Sequence, residues 1–242
     1  MNECLAVDLG LIGYGPALEL QRRLVVARKA GQVPDVFLLC EHSHVITLGR
    51  NARREHVHAS DQLLRQMKVE FHATDRGGDV TYHGPGQVVG YPILNLGAIR
   101  RDVAWYVSQL EEIMIRTSAA FGVTARRVAG RRGIWVDVPG AGEEKLGAIG
   151  VHISQWVTSH GFAYNVSTDL RYFDLIVPCG IPDRRPTSLE RLLGHQVSVA
   201  EASRELVRQC EGAFGCAVRR ASRGELEELL RAHEQTLVTE HV

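Results

Sequence analysis

"KLGAIGVHISQWVTSHGFAYNV", residues 145–166, reads as two short strands in succession, KLGAIGVHIS and VTSHGFAYNV. VTARRV (123–128) and GIWVDV (133–138) precede them as further strands. Immediately upstream the pattern changes. From Asp102 onward, Val103, Tyr106, Val107, Leu110, Ile113, Met114 and Phe121 share one helical face, and Gly122 ends the run. Strands that come in clusters, interrupted by segregated helices, argue for an α+β fold rather than a regular βαβ wheel.

The outer parts of the chain follow the same plan. CLAVDLG (4–10), DVFLLCEH (35–42), VITLG (45–49), VEFHAT (69–74) and QVVGYPILNL (87–96) are β-like. Gly15-Pro16 opens a helix with Leu20, Leu24 and Ala27 at helical spacing, ending near Gly31. Capping-box pairs predict helix starts at Thr187 with Glu190, Ser198 with Glu201 and Ser222 with Glu225. The last opens SRGELEELLRAHEQ (222–235), an amphipathic C-terminal helix expected to lie outside the catalytic core.

With 242 residues, 45% of them hydrophobic, the chain can bury one large core, and a single domain over 1–242 is expected. The 28 Lys and Arg balance 28 Asp and Glu, which gives no reason to expect nucleic acid as a partner. Five cysteines, Cys4, Cys40, Cys179, Cys210 and Cys216, include no CxxC pair and suit a reducing compartment rather than a disulfide framework. The opening MNECLAVDLG has no basic-then-apolar pattern, and no apolar run approaches the roughly 20 residues that span a bilayer. The expectation is a cytoplasmic protein without a membrane partner.

Three places carry chemistry. RGGDVTYHGPGQ (76–87) packs four glycines and Pro85 around Thr81, Tyr82 and His83. It is longer than a hairpin turn requires, and it has neither P-loop nor GxGxxG spacing, so a ligand-binding loop is favoured over a plain connection. IVPCGI (176–181) sets Cys179 in a Pro-Cys-Gly turn, an unusual place for a packing cysteine. A thiol there becomes nucleophilic if a nearby cation lowers its pKa, the candidates being Lys145, His83, His152 and His160. Lysine is scarce: Lys29, Lys68 and Lys145 are the three among 28 basic residues. Lys145 is either a strand-end lysine pairing with Glu143 or Glu144, or an acid/base group. Cys40, His42 and His44 alternate, with His56 and His58 following, but nothing completes a tetrahedral metal site, so no metal is expected.

Taken in order, LLCEHSHVITLGR (38–50), DRGGDVTYHGPGQVVGYPILNL (75–96), KLGAIGVHISQWVTSHGFAYNVSTDL (145–170) and YFDLIVPCGI…TSLER (172–191) resemble lipoyl(octanoyl) transferases. That family lies in the biotin/lipoate protein ligase catalytic-domain superfamily. The resemblance implies mixed β-sheets flanked by helices over 35–220, with 221–242 as a helical extension. It implies transfer of an octanoyl group from octanoyl–acyl carrier protein, through a cysteine thioester, to a specific lysine. The acceptors would be lipoyl domains of 2-oxoacid dehydrogenase complexes and the glycine cleavage H protein, and no cofactor is implied. By matching, Cys179 is the nucleophile and Lys145 the group that lowers its pKa and shuttles protons. Arg76, Gly77, Gly78, Asp79, Val80, Thr81, Tyr82 and His83 match a substrate-binding loop, as do Ala148, Ile149, Gly150, Gly161, Phe162 and Ala163. Glycine-segment amides would bind the developing oxyanion. Acidic partners would meet Arg50, Arg53, Arg54, Arg76, Arg184 and Arg185. His44 stands where relatives often carry proline, and His152 where they often carry arginine. The rivals are an ATP-dependent ligase or an amidotransferase on the same fold, a Cys–His hydrolase, and a non-catalytic acyl-binding module.

Overall fold

The computed structural model describes residues 3–177 and 185–239; Cys179 and Arg184 lie outside the described residues. The chain opens with β1 (Glu3–Ile12), α1 (Tyr14–Lys29), β2 (Asp35–His42) and β3 (Val45–Leu48). Next come α2 (Asp61–Gln66), β4 (Glu70–Ala73), β5 (Val80–His83) and β6 (Gln87–Ile93). Two helices follow, α3 (Leu96–Ile99) and α4 (Val103–Ala120), then β7 (Arg126–Val128), β8 (Arg131–Val138), β9 (Gly142–Ser154) and β10 (Val157–Asn165). The last elements are α5 (Leu189–Leu193), α6 (Val199–Phe214), β11 (Ala217–Ala221) and α7 (Arg223–Thr239). Among the described residues no helix is long and apolar enough to cross a membrane.

These strands make a large sheet in the order β11-β1-β2-β6-β10-β9-β8-β7 and a small one in the order β4-β3-β5. β1 pairs in parallel with β2 and β11, which makes β1-α1-β2 one βαβ unit; from β2 to β7 the ladder is antiparallel. The α+β reading therefore holds, with one crossover inside it. β9 and β10 are joined by Gln155 and Trp156, both at positive φ (51° and 64°), the geometry of a two-residue hairpin whose twist suits the strands.

Alternation along the strands gives the large sheet two apolar faces. Phe162, Tyr164, Leu146 and Val88 face α4 and α6 and pack with Tyr106, Leu110, Ile113, Met114, Leu206 and Phe214. Val89, Tyr91 and Ala163 face the other way, in one cluster with Leu20 and Leu24 of α1 and Leu226 and Leu230 of α7. On α4 the predicted stripe is buried except at its ends: Val103 is exposed and Phe121 only partly covered. Asp102 caps this helix, accepting from the Trp105 amide at 2.9 Å. The small sheet has its own core, around Ile46, Val57, Leu64, Val80 and Tyr82.

Two of the three capping boxes sit as predicted, with Ser198 and Ser222 accepting from the Glu201 and Glu225 amides. The first is displaced by one residue. Ser188 caps α5 through the Arg191 amide, while the Thr187 hydroxyl is buried with no hydrogen-bond partner. The Thr187 amide explains the shift: it donates to the Lys145 carbonyl at 2.9 Å, which keeps residue 187 in an extended pairing rather than at a helix start. Removing the cap by Ser188→Ala should cost about 1 kcal/mol. Thr187→Val, which deletes an unpartnered buried hydroxyl, should be neutral or stabilising. Denaturant midpoints at constant slope measure both.

Candidate active site

A cavity of about 420 Å³ lies between the α1-facing side of the large sheet and the loop that leads into β5. Its size falls within the range of small-molecule pockets. In the β9–β10 register, Ala148 pairs with Ala163, Ile149 with Phe162, and Gly150 with Gly161. The two triplets matched from sequence are thus cross-strand partners. Ala148, Gly150, Gly161 and Ala163 share a strand face, and with Val89 and Tyr91 of β6 they border the cavity. Small side chains here leave a channel where larger ones would fill it. Ile149 and Phe162 also border the cavity, while both belong to the α4-side core.

The glycine loop roofs it. The Gly77 amide donates to the Val151 carbonyl at 2.9 Å, and the Arg76 and Gly78 carbonyls accept from the Arg50 and Asn51 amides. A Cβ at Gly150 would stand 2.9 Å from the Gly77 carbonyl oxygen, and one at Gly161 would stand 2.1 Å from that of Gly90. No side chain fits at either position. Arg76, Gly77, Gly78, Asp79, Val80, Thr81 and His83 all line the cavity.

Three expectations change. Tyr82 does not line the cavity: it is fully buried in the small-sheet core, its hydroxyl 2.7 Å from His44 Nδ1. The Gly77 amide is spent on Val151, and the Val80 amide on the Asp79 carboxylate, so neither is open to an oxyanion. Arg76 is not part of a surface patch. It is 7% exposed and grips Thr47, donating through Nη2 to the carbonyl at 2.7 Å and to Oγ1 at 2.9 Å. Of the other arginines in that set, Arg53 and Arg54 pair with Glu55 and Asp61, Arg50 meets His152, and Arg185 is exposed.

Lys145 lines the cavity from β9, opposite Trp135 of β8, with its ammonium nitrogen 4.8 Å from the Trp135 ring centroid. Its acidic neighbours are engaged elsewhere, Glu143 with Arg126 and Arg131, Glu144 with Arg191. Main-chain bonds tie Lys145 to the chain that follows the Cys179 segment: its amide donates to the Arg185 carbonyl at 2.8 Å, and Pro186 lines the cavity beside it. On the near side of that segment, the Val177 amide donates to the His56 carbonyl, and the His56 ring meets the Asp79 carboxylate at 2.8 Å. Both flanks of Cys179 therefore attach to residues at or beside the cavity.

The histidines disperse. His42 is buried against Cys40 and the Tyr91 hydroxyl, whereas His44 stacks on Tyr172 with centroids 4.2 Å apart. Among the described residues no three His, Cys, Asp or Glu side chains are arranged to hold a metal ion. His160, at φ 55° and 2% exposed, lines the cavity and meets the Asp75 carboxylate at 2.8 Å; His152 lies 3.7 Å from the same carboxylate. Sequence reasoning missed Tyr14, Gln87, Tyr91, Arg131, Arg132 and Asn165, which also border the cavity. Gln87 closes the glycine loop but was not singled out within it, Tyr91 was visible only as a member of a β-like run, and the two arginines arrive through the β7–β8 hairpin, which has no local signature.

His83 is neutral. Burial, with His42 next to it, pushes its pKa down to about 3, and its Nδ1 lies 2.7 Å from Gln87 Oε1. The Gln87 amide nitrogen faces two oxygens, the Tyr82 carbonyl and Asn165 Oδ1, so Oε1 accepts and the His83 proton is assigned to Nδ1. Burial likewise lowers His42, to about 4. Unfolded histidines titrate near 6.5, so between that pH and the folded values the unfolded chain binds more protons. Stability should hold above about pH 6.5 and fall as the pH drops, by up to about 1.4 kcal/mol per pH unit for each ring. His42→Gln should flatten the decline between about pH 6.5 and 4 in denaturant titrations at stepped pH.

Residues 14–211 match the family described as the lipoyl protein ligase A/B catalytic domain. An octanoyltransferase from Acidobacterium capsulatum is 58% identical over 193 residues, covering 76% of this chain and 78% of that protein. Another from Solibacter usitatus is 50% identical over 214 residues, covering 88% and 94%. In fold, a bi-partite lipoate protein ligase from Thermoplasma acidophilum superposes with a TM-score of 0.74 over 96% of this chain and 92% of that one, at 15% identity. The resemblance drawn from the motifs and the matched sheets and helices agree: the chain belongs to the lipoyl protein ligase A/B catalytic-domain family.

Proposed function

We propose that this chain is an octanoyltransferase of protein lipoylation, moving an octanoyl group from octanoyl–acyl carrier protein to a lysine of a lipoyl domain by way of a thioester on Cys179. The observation that carries the reading is the convergence on one cavity of Lys145, a channel of small residues, and main-chain anchors on both sides of the Cys179 segment. The relatives named octanoyltransferase support the acyl-transfer class.

In this scheme the Cys179 thiolate attacks the thioester carbonyl and the carrier's C–S bond breaks. The departing carrier thiolate takes a proton from the Lys145 ammonium. The acceptor lysine arrives as an ammonium and returns a proton to Lys145. Its free amine then attacks the acyl-enzyme, an amide forms, Cys179 leaves as thiolate, and one proton passes to solvent. The donor is already a thioester, so no nucleotide activation is required. The acyl chain would lie along Ala148, Gly150, Gly161 and Ala163 beneath Gly77 and Gly78. Acceptors would be lipoyl domains, among them those of 2-oxoacid dehydrogenase complexes and the glycine cleavage H protein.

Intact-protein mass after incubation with octanoyl–acyl carrier protein, without ATP, tests the scheme. Wild type should gain one hydroxylamine-labile octanoyl group, Cys179→Ala none, and Lys145→Ala should form it at least a hundredfold more slowly. An acceptor domain modified only when free octanoate and ATP are supplied would replace this reading with an ATP-dependent ligase.

A further inference from the structure

A buried chain of hydrogen bonds runs from the glycine loop to the Lys145 strand. The His83 imidazole donates to Gln87 Oε1 at 2.7 Å, and Gln87 Nε2 donates to Asn165 Oδ1 at 2.9 Å. Asn165 Nδ2 then donates to the Thr187 carbonyl at 2.9 Å, and the Thr187 amide donates to the Lys145 carbonyl at 2.9 Å. Gln87 and Asn165 are 1% and 5% exposed, and both line the cavity. Each side-chain amide is used at both ends: the oxygen faces the loop and the nitrogen faces residue 187. Asn165 is where the relay passes to the main chain. On its far side lies the stretch 185–187, which leaves the Cys179 segment and pairs with Lys145 on both sides of Pro186.

We propose that Asn165 is a positioning residue: it holds the chain returning from Cys179 in register with the Lys145 strand, and thereby sets how the thiol and the ammonium meet. The inference rests on the Cys179–Lys145 reading above. A short side chain with an acceptor on one side and a donor on the other satisfies both neighbours at fixed distance. An unpaired Thr187 carbonyl in this dry setting would be driven to find another partner, and the 185–187 pairing would shift with it.

The test is the pH dependence of Cys179 alkylation by iodoacetamide in the full chain, with the site identified by peptide mass; Cys4, Cys40, Cys210 and Cys216 are buried. Lys145→Ala should move the alkylation midpoint up, toward the ordinary thiol value of about 8.5. Asn165→Ala should move it in the same direction by about one pH unit, tenfold less thiolate at a fixed pH below the midpoint. It should lower kcat for octanoyl transfer while leaving KM for the carrier within about twofold. In the Lys145→Ala background it should add nothing to the midpoint shift. Asn165→Asp keeps the acceptor toward Gln87 and, ionised, cannot donate to Thr187; it should reproduce the alanine shift and serves if the alanine variant does not fold. A midpoint unchanged by Asn165→Ala or Asp, or a shift that adds in full to that of Lys145→Ala, overturns the positioning role while the Cys–Lys reading stands. A midpoint unmoved by Lys145→Ala overturns both.

Discussion

The site depends on main chain resting directly on main chain. The Gly77 carbonyl oxygen lies 2.9 Å from where a Cβ of residue 150 would be, and the Gly90 carbonyl oxygen 2.1 Å from where one of residue 161 would be, both too close for a side chain. These two approaches bring the glycine loop onto β9 and β6 onto β10 without intervening side chains. The space that remains along Ala148, Gly150, Gly161 and Ala163 is narrow and mostly apolar. Loop, floor and wall are thus parts of one packing arrangement. A larger residue at either glycine would displace backbone, which has no alternative rotamer to adopt.

Polar groups fix what packing alone would leave loose. Arg76 spends its guanidinium on Thr47 and on its own neighbour Gly77, tying the loop to β3. A buried guanidinium used in this way holds loop and strand together through several donors in a fixed fork. His83 and His42 remain neutral because burial disfavours their charged forms, and each is matched to a partner that suits the uncharged ring. Next to Lys145, Glu143 pairs with Arg126 and Arg131, and Glu144 pairs with Arg191. The scarcity of lysine noticed in the sequence has its counterpart here: arginine serves most of the ion pairs, and of the three lysines Lys145 is the one that borders the cavity.

Much of the architecture was legible because it rests on local signals. The 3.6-residue stripe of α4, the alternation in β9 and β10, and two serine caps mark elements without reference to anything distant. Seven of the eight glycine-loop residues matched from the motifs border the cavity; Tyr82 does not, because alternation sends that ring into the small-sheet core while its neighbours face the opening. The cap at Thr187 was misplaced by one residue since a long-range amide bond to Lys145, invisible in any window around 187, competes with the local box. The bond between Gln87 and Asn165 could not be read: 78 positions separate them, and each alone is an ordinary polar residue at or in a strand.

The edge of the large sheet carries a consequence for how the molecule comes to be made. β1 pairs with β2 on one side, a partner close in sequence, but its other side is covered by β11, where Ala217 stands opposite Glu3. On a ribosome the first of these strands emerges long before the second. Throughout that interval the nascent sheet has an open, largely apolar edge, able to pair with another chain as readily as with its own. Parallel pairing across so long a loop is also slow to form. Until β11 and the α7 helix behind it have emerged, that edge is what a chaperone has most reason to protect.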